Sequence, residues 1–279
     1  MCEVIMESSI AHEIFSHACE LIISVGDYVR GAAKSKICTE SKECFADLVT
    51  EHDQNAEKML VTNLTSKYPD HRFIAEEMNS DGVSCQFLDD PTWIIDPIDG
   101  TTNFVHGFPS YSISVGFYVK KEPVFGIVYD IDNDKMYSAI KGEGAFCNGR
   151  VIKCSTTADL KNALIGSEFG SQRDEVFLQF KIDSMSRVVR KCHGIRSTGS
   201  AALQICGVAA GYLDAYYEAG PHIWDFAAAQ LIALEAGAVV SSLNGGPFDI
   251  RSRKILVACN STIAGQLSPL IGDFELTYD

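Results

Sequence analysis

Trp93-Ile94-Ile95-Asp96-Pro97-Ile98-Asp99-Gly100-Thr101-Thr102-Asn103-Phe104-Val105-His106 is the densest stretch of chemistry in this 279-residue chain. The apolar run Trp93 to Ile95 reads as a buried strand with Asp96 at its exit. Two carboxylates three residues apart, followed by Gly-Thr-Thr, set two oxygen ligands and several backbone N–H groups into one small volume. That arrangement suits a divalent cation together with a phosphate. Taken alone, the segment suits an Asp-rich turn capping a short helix equally well, because Asp-Gly and Asp/Thr clusters are common turn formers.

Its company decides between the two. Phe73 to Ala75 is a second short apolar run, ending in Glu76 and Glu77, and His222-Ile223-Trp224-Asp225 opens a helix. If the strands are neighbours, Glu76, Asp96, Asp99 and Asp225 converge, and these motifs contain no Lys or Arg. Such a cluster is too costly to bury unless cations sit in it. All-oxygen ligation favours Mg²⁺ over zinc, which selects His or Cys.

Outward from this stretch, odd positions from Tyr111 to Val119 are apolar while Ser112, Ser114 and Gly116 are small or polar, the clearest strand of the chain. Turns at 121–123 and 132–134 separate it from Val124 to Tyr129 and Lys135 to Ile140, an antiparallel meander. Two helices precede it: one capped by Ser8 or Ser9 and stopped at Gly31, one following Asp53 and ending before Pro69. The later part alternates: strand Leu164 to Ser167, helix Ala201 to Leu213, strand Ala215 to Tyr217, helix Trp224 to Ala236. Short strands at 239–241 and 255–258 and a last helix ending near Leu270 follow. The pattern predicts an α+β half over residues 1–150, with the antiparallel sheet and most metal ligands. An α/β half over 151–279 would complete the site.

The charge balance, 23 Lys and Arg against 37 Asp and Glu, gives −14 and argues against a nucleic-acid or anionic-membrane surface. An acidic chain that handles an anionic substrate needs another source of positive charge, and a bound metal supplies one. The ten cysteines are scattered without paired spacing, the usage of a reduced cytoplasmic protein. Glu3 and Glu7 stand where a secretory signal would carry Lys or Arg, and the uncharged stretch Ser197 to Leu213, broken by Gly, Ser and Gln, is too short for a membrane span.

The segment 93–106, with Ala75-Glu76-Glu77 and Trp224-Asp225-Phe226-Ala227-Ala228-Ala229, resembles the three metal-site signatures of the inositol monophosphatase family. Further matches run from Asp47-Leu-Val-Thr-Glu-His-Asp53 to Gly245-Gly-Pro-Phe-Asp249, so the resemblance covers nearly the whole chain. Within that family, His193-Gly-Ile-Arg-Ser197 and Asp214-Ala-Tyr-Tyr-Glu218 are similar to the animal type. The resemblance implies the αβαβα sandwich of sugar phosphatases and a Mg²⁺-dependent, lithium-inhibited phosphomonoesterase acting on myo-inositol monophosphates. It also implies a cytoplasmic homodimer.

By position, it implies that Glu76, Asp96, Asp99, the Ile98 carbonyl, the Thr101 hydroxyl and Asp225 hold metal. Thr101, Asp53 and Glu76 would position or deprotonate the attacking water, so that no phosphoenzyme is needed. The N–H groups of Gly100 and Thr101 would meet phosphate. Asp99, Gly199, Ser200, Ala201, Glu218 and Asp225 would contact ring hydroxyls, and Lys42 would reach a metal-linked water or the phosphate. Departures from the family pattern, Ala75, Ser200, Ile223 and Ala228-Ala229, remove no ligand.

Several residues suit plainer roles as well: Asp53 and Asp225 as helix caps, His106 and His222 as structural hydrogen-bonding groups, Trp224 as a packing anchor, Gly142-Glu-Gly144 as a turn. A related phosphatase preferring galactose 1-phosphate or a nucleotide 3'-phosphate is the nearest rival. An aspartyl-phosphate mechanism of the haloacid-dehalogenase type is excluded, since it needs Asp-x-Asp and here the acids stand at i and i+3. A catalytically silent binding protein would usually have lost a ligand, and a cation buffer would not need Gly-Thr-Thr beside its acids.

Overall fold

The computed structural model describes residues 8–33, 39–42, 45–80, 82 and 86–277. Glu3, Glu7, Cys2, Cys38, Cys44 and Cys85 lie outside the described residues. The helices are α1 (Ser8–Ala32), α2 (Glu51–Lys67), α3 (Glu76–Ser80), α4 (Thr101–His106), α5 (Glu175–Val189), α6 (Ala201–Ala209), α7 (Ile223–Glu235) and α8 (Ser261–Ile271). The strands are β1 (Thr39–Ser41), β2 (Leu48–Thr50), β3 (Arg72–Ala75), β4 (Thr92–Asp99), β5 (Ser112–Val119), β6 (Glu122–Asp130) and β7 (Lys135–Ile140) in the first part. There follow β8 (Ala145–Cys147), β9 (Arg150–Val151), β10 (Leu164–Ser167), β11 (Gly194–Arg196), β12 (Ala215–Ala219), β13 (Val239–Ser241) and β14 (Lys254–Ala258).

Strands β3 to β9 form a seven-stranded sheet in sequence order, parallel at β3–β4 and antiparallel from there on. A five-stranded sheet runs β11-β10-β12-β14-β13. The apolar stripe of α1 (Ile14, Ala18, Ile22, Val25, Val29) and that of α2 (Ala56, Leu60, Leu64) share one core with Ile113, Val115, Phe117 and Val119 of β5. Helices α6 and α7 fill the space between the two sheets, and α5 and α8 cover the far face of the smaller one. The result is the five-layered αβαβα sandwich.

β5 is buried on both faces. Its apolar positions meet α1 and α2, and its small ones admit α7: Ser114 Oγ donates to Trp224 O and Tyr118 OH to Ala227 O. A Cβ on Gly126 of β6 would stand 2.4 Å from Ala228 O, so only glycine lets the helix lie this close. Buried at its core positions with Ala227 to Ala229, α7 is the shared wall of both sheets.

The sequence expectations need adjustment at element ends. α1 passes through Gly31 to Ala32, and α6 stops at Ala209 rather than 213, because Gly211 at φ 75° turns the chain before Leu213 is buried. Asp53 lies inside α2, whose N-cap is Thr50. α5 was not anticipated, nor was the β1–β2 hairpin.

Among the described residues, Cys19, Cys147, Cys154, Cys192, Cys206 and Cys259 are free thiols. No helix among them is long and apolar enough to cross a membrane.

Candidate active site

In a straight strand, residues i and i+3 point to opposite faces. β4 avoids this with an irregularity: Asp96 pairs with Ser114 and Asp99 with Ser112, so three steps on β4 match two on β5. The extra residue is a bulge, and Pro97, which has no N–H for a ladder, sits within it. Asp96 is 2% exposed, with its Oδ1 accepting the Ile98 N–H at 3.0 Å. Asp99 turns to the start of α6, where it accepts from Ser200 Oγ at 2.5 Å, Ala202 N at 2.8 Å and Ala201 N at 3.2 Å.

The chain then reverses at Gly100, φ 100°, where a Cβ would stand 3.0 Å from both Ser110 O and Gly199 O. Gly199, φ 83°, is pressed on Asn103, whose amide donates to Ser110 O and Thr198 O at 2.6 Å each. These two glycines bring Gly199-Ser200-Ala201 against the Gly100-Thr101 turn. Thr101 Oγ1 reaches Asp53 Oδ1 at 3.0 Å and Ile98 O at 3.2 Å.

Asp53 is 1% exposed and does two jobs. Its Oδ2 accepts from the N–H and hydroxyl of Thr50, completing a capping box, while its Oδ1 faces Thr101. Burial pushes its carboxyl up to about 6, against the lowering effect of the Thr50 bonds. Glu57, one turn further along α2, accepts the Glu77 and Met78 N–H groups at 2.7 and 2.8 Å and so anchors the start of α3. That holds Glu76 at the exit of β3, beside β4.

Lys42 Nζ donates to Glu76 Oε1 at 2.9 Å and Glu77 Oε1 at 2.8 Å. Burial works against its charge, but the two carboxylates outweigh this and raise its pKa. Glu77 is pushed up to about 8, by burial and then by Glu76. Asp225 lies at the third position of α7, where its Oδ2 accepts the His222 N–H at 2.7 Å, and His222 stacks on Trp224.

Electrostatics ties the acids together. Asp96 is raised well above the ordinary carboxylate range by burial and then by Glu76, Asp99, Asp225 and Asp53. Asp225 is raised by burial, Asp99 and Glu76, and Asp99 goes up to about 7, by burial against the lowering bonds at α6. Among the described residues no three His, Cys, Asp or Glu side chains close on one point as a finished ligand shell. The acids instead share a volume in which each disfavours the ionisation of the others. A hard divalent cation fits this donor set of carboxylates, a carbonyl and a hydroxyl.

Glu218 lies 5% exposed at the end of β12, its Oε2 accepting from Tyr216 OH, and its charge acts on Asp99 and Asp225. Glu168, missed in the sequence, closes β10 and accepts Thr198 N at 2.6 Å and Gly199 N at 2.8 Å. Leu-Ile-Gly-Ser-Glu carries the same signal, an apolar strand with an acid at its exit, that marked Glu76 and Asp96. His106 is exposed at the end of α4, and the N–H groups of Gly142 and Gly144 bind Glu235 in a turn.

The model of the inositol monophosphatase family matches residues 11–273. Inositol monophosphatase 1 of Bos taurus is 46% identical over 268 residues, 96% of this chain and 97% of that protein. An IMPase from Thermotoga maritima superposes with a TM-score of 0.83 at 30% identity, covering 93% of this chain and 96% of its own. Staphylococcal inositol monophosphatase-1, in an inhibitory complex soaked in lithium chloride, superposes with a TM-score of 0.82 at 25% identity, covering 93% and 94%. With its sequence matched over residues 11–273 and its fold over 93% of the chain, the chain belongs to the inositol monophosphatase family.

Proposed function

We propose that the chain is an inositol-phosphate phosphatase that hydrolyses myo-inositol monophosphates to inositol and phosphate, depends on Mg²⁺, is inhibited by lithium and acts in the cytoplasm as a homodimer. The observation that carries the reading is the buried Asp53–Thr101 pair beside the bulge that turns Asp96 and Asp99 into one pocket. Glu76, Asp96, Asp99, Asp225, the Ile98 carbonyl and the Thr101 hydroxyl would hold magnesium, which when bound supplies positive charge for the phosphate and acidifies water.

The chain's own groups do the rest. Thr101 donates its proton to Asp53, which leaves its oxygen lone pair free to accept from the attacking water and aim it at phosphorus. Asp53, held by Thr50 and bonded to the Thr101 hydroxyl, receives the proton that the attacking water passes through Thr101, and Glu76 assists. As the new P–O bond forms, the ester P–O bond opposite breaks and the inositol oxygen leaves, taking a proton from solvent. The N–H groups of Gly100 and Thr101 bind phosphate oxygens. Asp99, Gly199, Ser200, Ala201, Glu218 and Asp225 receive the ring hydroxyls, because carboxylates accept several hydrogen bonds from a polyol.

Lys42, bound to Glu76 and Glu77, would reach a metal-linked water or the phosphate. The inhibitory lithium complex of the staphylococcal relative supports lithium sensitivity here. Phosphate release from myo-inositol 1-phosphate, galactose 1-phosphate and a nucleotide 3'-phosphate tests the substrate. Fastest turnover of the inositol ester is expected. A preference for another ester would move the substrate, and silence on all three would overturn the enzyme reading.

A further inference from the structure

The buried stripe of α5 is Phe177, Lys181, Ser184 and Val188. A lysine in such a stripe is expensive, and an apolar residue there would usually be neutral or stabilising. Lys181 is nevertheless only 6% exposed. Its Nζ donates to Phe169 O at 2.7 Å, stands 3.6 Å from Glu218 Oε1 and lies 4.8 Å from the centre of the Phe177 ring. The backbone narrows to admit this contact: a Cβ on Gly170, φ 62°, would sit 3.3 Å from Glu218 Oε1 and 3.4 Å from Nζ.

Glu218 is thus held from two sides, one oxygen facing Lys181 and the other bonded by Tyr216 OH. Glu168 stands close enough for its charge to act on Glu218 and on Lys181. Arg173, bonded to the Gly170 and Gln172 carbonyls, adds a second positive charge at the rim. Two buried carboxylates this close repel each other, and a cation beside them relieves that repulsion.

We propose that Lys181 is a positioning residue for substrate recognition, holding Glu218 in one orientation so that it accepts a ring hydroxyl of the polyol. The inference rests on the assignment of Glu218 to that hydroxyl. Lys181 acts through Glu218 and does not touch the phosphate, so its loss falls on polyol binding and spares the chemical step.

The test is a double-mutant cycle of Lys181→Met and Glu218→Gln. KM and kcat are measured on myo-inositol 1-phosphate and on p-nitrophenyl phosphate, which has no hydroxyl to offer. Lys181→Met is expected to raise KM for the inositol ester about tenfold, with kcat and the p-nitrophenyl phosphate activity held within about twofold. In the Glu218→Gln background the same change is expected to add nothing. A structural role alone would lower activity on both esters together, and an unchanged KM in Lys181→Met, or a full additional loss in the double variant, would overturn the proposal. If Glu218→Gln itself leaves KM for the inositol ester unchanged, the assignment of Glu218 fails and the proposal with it. Lys181→Gln, which keeps N–H donors without the charge, carries the same criteria if Lys181→Met does not fold.

Discussion

At the bulge of β4, Asp96 and Asp99 lie among other acids, and Lys42 bonds only the outer pair, Glu76 and Glu77. At the ends of β10 and β12, Glu168 and Glu218 are also withdrawn from water, but Lys181, Tyr216 and the N–H groups of Thr198 and Gly199 surround them. The second region carries its counter-charge inside the fold. The first leaves its charge to be met from outside. Neither burial nor hydrogen-bond donors separate the two regions, since Asp99 also accepts three; the number of acids set against one lysine does.

The largest effect is expected at the uncompensated region. Asp96→Asn should lower kcat for phosphate release by about a thousandfold or more. The same change removes like-charge repulsion, so in chelator its melting temperature should rise above wild type. Wild-type turnover would remove Asp96 from the site.

Thr101→Ala leaves the acids in place and takes away the hydroxyl between Asp53 and the attacking water. It should lower kcat by about a hundredfold with a smaller change in KM, read from initial rates at saturating substrate. A KM effect alone would mean that Thr101 binds and does not activate.

α7, which carries Asp225, is packed against β6 at Gly126. Gly126→Ala places a Cβ against Ala228 O and should cost about 2 kcal/mol in a denaturant titration. Unchanged stability would show that α7 can lift from the sheet freely.

The smallest effect belongs to the compensated region. Glu168 is pushed up to about 7 from its ordinary 4.5, by burial first and then by Glu218, against its N–H bonds. A carboxyl whose proton is held more tightly in the folded state stabilises fully below its unfolded pKa. That contribution is lost as pH rises through the folded value. Glu168→Gln should therefore flatten the fall in melting temperature from pH 4.5 to about 7. An unaltered slope would place the titration elsewhere.

The acids of the first region were legible because they close short apolar runs, at Ala75-Glu76 and Ile95-Asp96, and because Asp96 and Asp99 stand three apart before Gly-Thr-Thr. The bulge itself was not, since an extra residue in one strand depends on how its partner pairs. Glu168 carries the same strand-exit signal, one residue past the strand Leu164 to Ser167. α5 escaped because its buried face holds Lys181 and Ser184, which break the apolar periodicity that marks α1 and α2. What hid the helix is the buried lysine beside Glu218. The small positions of β5 marked a strand plainly, but only the packing reveals that they face α7 and not solvent.

The uncompensated acids can be tested together in one titration, following phosphate release from myo-inositol 1-phosphate as Mg²⁺ is added to chelator-treated protein. Turnover should be absent at the start, rise with Mg²⁺ in wild type and stay flat in Asp96→Asn over the same range. Turnover undiminished in chelator, or an Asp96→Asn curve superimposed on wild type, would contradict a site whose charge is completed by a cation.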